Sequence, residues 1–171
     1  METQAIQAIE VAQAAVITPE ALLDHWQGHR RLTRKAIEAF PEDQFFTHSV
    51  GGMRPFSELV REVLELANLG IEGIVTGRWK SGLDHSSQNP SQPTKQEVLR
   101  QWDRVTDKMN NLWPQIPPQR FGEKDTAFGQ YEGTVISFIL YFIDNEIHHR
   151  AQGYVYLRSL GIEPPFFWER E

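Results

Sequence analysis

The chain has 171 residues, of which 40% are hydrophobic and 11% aromatic, so it is long enough for one sizeable core but short for two ordinary domains. Its net charge of -6 provides no overall positive field to attract nucleic acid or anionic lipid. The absence of cysteine excludes disulfides, thiolate metal sites and a cysteine nucleophile. We therefore expect one domain over residues 1–171, and any metal must be held by nitrogen and oxygen atoms.

The first 17 residues are rich in alanine and glutamine and lack the basic start and apolar run of a secretory signal. We interpret them as an additional N-terminal helical segment. The longest apolar stretch, residues 135–143, is far shorter than the roughly 20 residues that a membrane helix needs. These features predict no membrane partner and, by default, a cytoplasmic location.

The first amphipathic helix is predicted to begin at Thr18, a capping hydroxyl followed by a proline and an acidic residue, and to end before Pro41. A loop with two glycines follows, and Pro55 then opens a second helix with a broad apolar face. Glu62 lies on the shoulder of that face, where a neighbouring helix would pack. It is the one carboxylate of this helix that belongs to neither the apolar nor the solvated face.

The third and fourth helices are bounded by clear signals. Residues 94–97 form a capping box, after which apolar residues recur at intervals of three and four until Pro114. Residues 81–94, which include His85, are predicted to be an exposed connection, and residues 114–133 a loop containing at most short extended pieces. The last helix is expected from Thr134 to Leu160. These elements predict an all-α four-helix bundle whose core spans about residues 18–165.

The last helix carries two lines of residues instead of one. The first line is interpreted as an ordinary core stripe and consists of Ile136, Leu140, Ile143, Ile147 and Tyr154. The second line begins apolar and becomes polar in its middle, and it consists of Phe138, Phe142, Asn145, His149, Gln152 and Tyr156. Polar side chains flanked by phenylalanines on one line are typical of a buried site or the wall of a cleft.

Two pairs of residues on this helix stand one turn apart and could present two ligands to one ion: Asn145 with His149, and Asp144 with His148. An imidazole and a carboxylate bind Zn²⁺, Ni²⁺, Mn²⁺ or Fe²⁺ more readily than an amide oxygen does, so Asp144 with His148 is chemically the stronger pair. Periodicity alone favours a plainer interpretation, in which the histidines hydrogen-bond to neighbouring polar groups. His29, beside the inward stripe of the first helix, could likewise be a metal ligand or a histidine that only hydrogen-bonds to its neighbours.

The run from Asp144 to Gln152, followed by a leucine-arginine pair, Gly161 and two prolines, resembles the C-terminal signature of the DinB/YfiT-like family. Residues 54–62 resemble the second-helix signature of the same family. The resemblance spans about residues 22–165 and is most specific in the last helix. It implies a four-helix bundle of the DinB/YfiT type.

The family resemblance also implies a divalent-ion site built from three histidines, one on the second helix and two on the last. In this chain Glu62 and Asn145 stand at two of those positions, and His149 keeps the third. The implied metal ligands are therefore Glu62, Asn145 and His149. A carboxylate can still hold an ion, whereas the amide of Asn145 weakens the site.

The other residues of the motif have supporting roles in this hypothesis. His148 is the candidate catalytic residue, for proton transfer or orientation, and Arg150 the candidate for orienting a carboxylate such as Glu62. His29 and Asp144 are possible alternative ligands.

The resemblance implies a metal-dependent enzyme, because characterised members of the family include thiol-dependent S-transferases and isomerases. Such an ion would act as a Lewis acid toward a low-molecular-weight thiol or a water, giving a transferase or a hydrolase of a small-molecule substrate. The alternative is a metal-free, stress-associated bundle that binds a small molecule or dimerises through the aromatic residues 166–168, unless that tail folds back over the bundle. A homodimer is expected from the resemblance, and the acidic charge disfavours a nucleic-acid partner.

Overall fold

The structure is a computed structural model of the chain, and it describes residues 16–80 and 93–171. The predicted helical segment before residue 16 and His85 lie outside these ranges. Within them, no helix is both long enough and apolar enough to cross a membrane.

Helices dominate the described parts of the chain. In chain order the elements are α1 Pro19–Ala39, α2 Glu42–Thr47, α3 Phe56–Thr76, α4 Lys95–Leu112, β1 Lys124–Ala127, β2 Tyr131–Thr134 and α5 Val135–Ser159. The four long helices surround one hydrophobic core in the order α1, α4, α3, α5, so that α5 packs between α1 and α3. This arrangement confirms the predicted all-α four-helix bundle.

The predicted helix boundaries agree with the capping geometry. Thr18 Oγ1 accepts a hydrogen bond from the backbone N–H of Ala21 at 3.1 Å. Thr94 and Glu97 form the reciprocal capping box at the start of α4. At the far end of α5, Gly161 has a φ of 75°, the left-handed conformation that commonly ends a helix.

Two short elements connect the long helices: α2 lies where the sequence predicts a loop, and the two strands lie in the segment predicted to be a loop with short extended pieces. Helix α2 has only six residues and is held by Phe45, whose ring packs against the rings of Phe40 and Phe56 at 6.0 and 5.9 Å. Strands β1 and β2 form an antiparallel hairpin in which Ala127 pairs with Tyr131. Both elements are too short to show a repeating pattern of hydrophobic residues in the sequence. Contacts with the bundle stabilise them.

The line interpreted as the core stripe of α5 is wrong in part, because Leu140 is 47% exposed and its other members except Ile143 are only half-buried. The buried face of α5 instead consists of Val135, Phe138, Ile139, Phe142, Ile143, Glu146, His149, Arg150, Gly153, Tyr156 and Leu157. The physical reason is that two charged residues, Glu146 and Arg150, occupy the centre of this face, which a search for apolar residues passes over. The prediction that the second line is buried agrees with the structure, since its aromatic members and His149 are buried.

Glu146 is fully buried between α5 and α1. Its carboxylate accepts hydrogen bonds from Trp26 Nε1 at 3.2 Å and from Thr33 Oγ1 at 2.7 Å, and Arg30 Nη1 lies 3.9 Å away. Arg150, one turn further along α5, donates to the same Thr33 hydroxyl at 3.1 Å. Burial raises the pKa of the Glu146 carboxyl, against the charges of Arg30 and, less strongly, Arg150, and burial lowers the pKa of Arg150 against the charge of Glu146.

We predict that Glu146→Ala lowers the free energy of unfolding by about 3–5 kcal/mol, because two buried guanidinium groups lose their counter-charge. Urea denaturation measures this loss. Asp144→Ala, an exposed acidic position on the same helix, is the matched control and is expected to change stability by less than about 0.5 kcal/mol. Equal effects of the two substitutions would contradict a central role for the buried carboxylate.

Candidate functional site

Helices α3 and α5 approach closely at glycines. A Cβ atom on Gly153 of α5 would lie 2.4 Å from the ring of Phe56, and one on Gly70 of α3 would lie 2.5 Å from the ring of Phe142. Because real Cβ atoms do not come so near another carbon, only glycine permits this spacing. The close packing brings the side chains between these points on the two helices into direct contact.

A hydrogen-bonded group of side chains, Arg54, Glu62, Asn145, His149 and Gln152, joins α3 to α5, and we refer to it as the polar centre. Glu62 Oε1 accepts from Asn145 Nδ2 at 3.1 Å and lies 3.0 Å from His149 Nε2. Glu62 Oε2 accepts from Arg54 Nη2 at 2.7 Å. The other ring nitrogen of His149, Nδ1, lies 2.8 Å from Gln152 Oε1. The Glu62 side chain is 20% exposed and that of His149 is 8% exposed.

Arg54 reaches Glu62 from the loop before α3. The hydroxyl of Tyr156, on α5, donates to the backbone oxygen of Arg54 at 3.0 Å and fixes its position. Earlier in the loop, Gly51 and Gly52 have φ angles of 61° and 77°, which favour glycine. The loop geometry and the last helix therefore both place the guanidinium over the first turns of α3.

The polar centre keeps Glu62 ionised. Burial by itself would raise the pKa of this carboxyl, but hydrogen bonds from Arg54, His149 and Asn145 outweigh burial and lower the pKa to about 2. At neutral pH the centre thus contains a carboxylate paired with a guanidinium.

The structure brings together the three implied ligands, Glu62, Asn145 and His149, and separates them from the other candidates. Asp144 and His148 lie on the exposed face of α5, although the His148 ring centroid is only 5.1 Å from that of His149. They are one turn apart, as predicted, and point away from α3.

The remaining candidates, His29 and Arg150, lie on the opposite side of α5, against α1. Arg150 Nη2 is 3.0 Å from His29 Nδ1, and burial together with this guanidinium lowers the pKa of His29 to about 3. The sequence predicts that Arg150 orients Glu62, whereas the guanidinium in contact with that carboxylate belongs to Arg54. The reason is rotational, because Arg150 projects about 100° around the helix from His149.

A pocket of about 470 Å³ opens beside the polar centre, between α3, the β-hairpin and the first half of α5. Glu62 and Leu66 of α3 form one wall. Five aromatic residues form much of the rest: Phe128, Tyr131, Phe138, Tyr141 and Phe142. Trp79 packs behind two of them, with ring centroids 5.3 Å from Phe128 and 5.6 Å from Phe138. The carboxylate of Glu62 therefore belongs both to the polar centre and to an aromatic pocket.

As the side chains stand, the donor set does not fit a divalent ion. Both oxygens of Glu62 have partners, and one of them is already bound to a cation, Arg54. Within residues 16–80 and 93–171, no group of three or more His, Cys, Asp or Glu residues is placed to hold a metal. To bind an ion, the centre would need Arg54 to release Glu62 and Asn145 to turn its amide oxygen inward.

The protein is thus an all-α four-helix bundle with a polar centre between α3 and α5, its second and last long helices. The chain belongs to the DinB family, whose model matches residues 12–170. It is similar to the uncharacterized protein YjoA of Bacillus subtilis (strain 168), with 24% identity over 153 residues that cover 87% of this chain and 96% of that protein.

Two crystal structures share the fold. The DinB-like protein YjoA from Bacillus subtilis is 21% identical, with a TM-score of 0.67, over 85% of this chain and 96% of that chain. A DinB-like protein from Bacillus cereus ATCC 10987 is 15% identical, with a TM-score of 0.69, over 86% of this chain and 95% of that chain. These likenesses confirm the DinB-type bundle.

Sequence reasoning missed the role of Arg54 and the hairpin wall of the pocket. Arg54 precedes α3, so no helical period connects it with Glu62 eight residues later. The hairpin does have a signal in the sequence, the glycine at position 129 between two short extended runs. Gly129 lies in the turn with a φ of 71°, a conformation that favours glycine. A glycine between two short extended runs is a usable hairpin indicator.

We predict that Glu62→Gln reduces the dependence of stability on acid pH. A carboxyl with a folded pKa of about 2, against a usual 4.5, stabilises the fold above pH 4.5, and this stabilisation is lost as the pH falls from 4.5 toward 2. The glutamine variant lacks that contribution at every pH. The measurement is the free energy of unfolding in urea at about pH 7 and about pH 3.

Glu58→Gln, on the same helix but outside the polar centre, is the matched control. It is expected to keep the full wild-type loss of stability between the two pH values. If the Glu62 and Glu58 variants follow the same curve as wild type, the low pKa assigned to Glu62 is wrong.

Proposed function

We propose that this DinB-family chain binds an apolar small molecule in the aromatic pocket, with the carboxylate of Glu62 as the polar anchor, and that this binding needs no divalent ion. The main observation behind the proposal is that Glu62 lies in the wall of the pocket and also belongs to the polar centre. This function is the metal-free, small-molecule-binding alternative that the sequence offers.

The size and lining of the pocket support this proposal. Small-molecule sites are typically concave, about 300–1,000 Å³ in volume, and mostly apolar with a few well-placed polar groups. The pocket has a volume of about 470 Å³ and a largely aromatic wall. Hydrogen bonds from Arg54, Asn145 and His149 hold Glu62 in one orientation, so the anchor is ordered before a ligand arrives.

An ion-dependent enzyme is the second candidate function, favoured by a specific observation. Glu62 Oε1 lies 3.0 Å from His149 Nε2, close to the roughly 3 Å that separates neighbouring ligand atoms around one ion, and the Asn145 amide, whose Nδ2 is 3.1 Å from the same oxygen, would have to turn to present its oxygen. In this candidate Glu62, Asn145 and His149 would hold the ion, which would supply Lewis-acid activation of a low-molecular-weight thiol or a water. His148, exposed beside His149, would then be the group available for proton transfer.

Formation of a homodimer is compatible with both candidate functions. Phe166, Phe167 and Trp168 are 45%, 61% and 63% exposed. The tail after them nevertheless folds back, since Arg31 Nε donates to the backbone oxygen of Arg170 at 2.7 Å. The expected homodimer stays a prediction, and these exposed rings are its most apolar candidate surface at the C-terminus.

We predict that the untagged wild-type protein retains far less than one Zn²⁺, Ni²⁺ or Mn²⁺ per chain after incubation and desalting, because Arg54 already neutralises Glu62. Elemental mass spectrometry measures the content. Arg54→Gln is expected to raise zinc affinity, since it frees one carboxylate oxygen.

The decisive comparison uses two neighbouring histidines. Near-stoichiometric metal in wild type that persists in His148→Ala and disappears in His149→Ala would establish the ion-dependent candidate in place of the first.

We predict that the uncharged fluorescent probe N-phenylnaphthylamine binds the wild-type protein and that chelators leave its affinity unchanged. Tyr141→Ala is expected to weaken binding about fivefold or more, because it removes an aromatic wall of the pocket. Fluorescence titration measures the dissociation constant.

Leu140→Ala is the matched control, since Leu140 is a similarly exposed neighbour on α5 outside the pocket lining. The proposal is abandoned if the probe does not bind, or if both substitutions weaken it equally.

A further inference from the structure

The aromatic pocket has a one-sided distribution of charge. Among the described residues that line it, the charged side chains are two glutamates, Glu62 and Glu132, and none is a lysine, arginine or histidine. Glu62 is compensated by Arg54 from outside the lining, whereas Glu132 lies exposed on β2 at the rim. A ligand in this pocket therefore meets carboxylates and hydroxyl groups but no cationic group in the walls.

The aromatic rings strengthen the same preference. The face of an aromatic ring carries negative charge density and attracts cations within about 6 Å of its centroid. Five such rings line the pocket, and Trp79 supports two of them from behind. A carboxylate placed among these rings would lose its hydration without gaining a cationic partner from the walls, which is costly.

We propose that the pocket selects an organic cation with a flat apolar body, of the arylmethyl amine class. The ring system of the ligand stacks against the aromatic walls, and its ammonium group lies toward Glu62 and Glu132. Thiols that carry carboxylates are disfavoured, because they would bring negative charge to a negative wall. This inference rests on the proposed small-molecule function, and it specifies the ligand class.

The test uses three naphthalene derivatives of the same shape and different charge: naphthylmethylamine, naphthylmethanol and naphthoate. Each displaces N-phenylnaphthylamine from the wild-type protein in a fluorescence competition. The amine is expected to bind about tenfold or more tightly than the carboxylate, with the alcohol between them. A carboxylate that binds as tightly as the amine overturns the inference.

The charge at the rim gives a second, independent readout. Glu132→Gln is expected to narrow the preference for amine over carboxylate severalfold, because it removes one lining carboxylate. Glu163→Gln removes the same charge from an exposed position beyond α5 and is expected to keep the wild-type preference. Equal narrowing in both variants would assign the preference to the overall charge of the chain and overturn the pocket assignment.

The failure of this inference is distinguishable from that of the proposed function. If N-phenylnaphthylamine itself does not bind, the proposed small-molecule site is wrong and the ligand class falls with it. If the probe binds but the amine is not preferred, only the ligand class is wrong.

Discussion

The buried carboxylate of Glu146 is the constraint on which the geometry of the bundle depends. A charge removed from water is tolerated only where partners surround it, and here they come from α1: Trp26 and Thr33 by hydrogen bonds, and Arg30 by proximity. Alternative rotations of α5 would leave this carboxylate unpaired inside the core. Since an unpaired buried charge costs about 3–5 kcal/mol, we interpret Glu146 as the element that fixes how α5 faces its neighbours.

The fixed rotation of α5 explains why a polar centre forms on its other side. Successive residues of an α-helix are about 100° apart, so Asn145 and His149 turn toward α3 when Glu146 and Arg150 turn toward α1. The polar run in the last helix is thus divided between two tasks. One half orients the helix, and the other half meets Glu62 at the edge of the aromatic pocket.

Sequence reasoning predicted the parts that follow from short-range rules and missed those that depend on the fold. Caps such as Thr18 and the Thr94 box, together with helical periods, were sufficient for the four long helices. The position of Glu62 on the shoulder of its apolar face predicted a contact with a neighbouring helix, and the family resemblance implied that His149 would be its partner there. Arg54 could not be found in this way, since a loop and the hydroxyl of Tyr156 place it. The aromatic pocket was equally hidden, because one wall is a hairpin in a segment without a hydrophobic period.

The exchange of a divalent ion for an arginine would change what a centre of this shape can do. A guanidinium donates hydrogen bonds in a fixed fork, stays charged at physiological pH and has no open coordination position. It can therefore hold and orient a carboxylate, but it cannot activate a bound thiol or water as an ion with an open position does. With Arg54 on Glu62, the carboxylate is held in one orientation beside an apolar pocket, where we propose that it acts as a recognition group. A centre in which Arg54 holds Glu62 is on this argument better suited to binding than to ion-assisted chemistry, and this is the basis of our proposal that the pocket discriminates its ligands by charge and not through a metal.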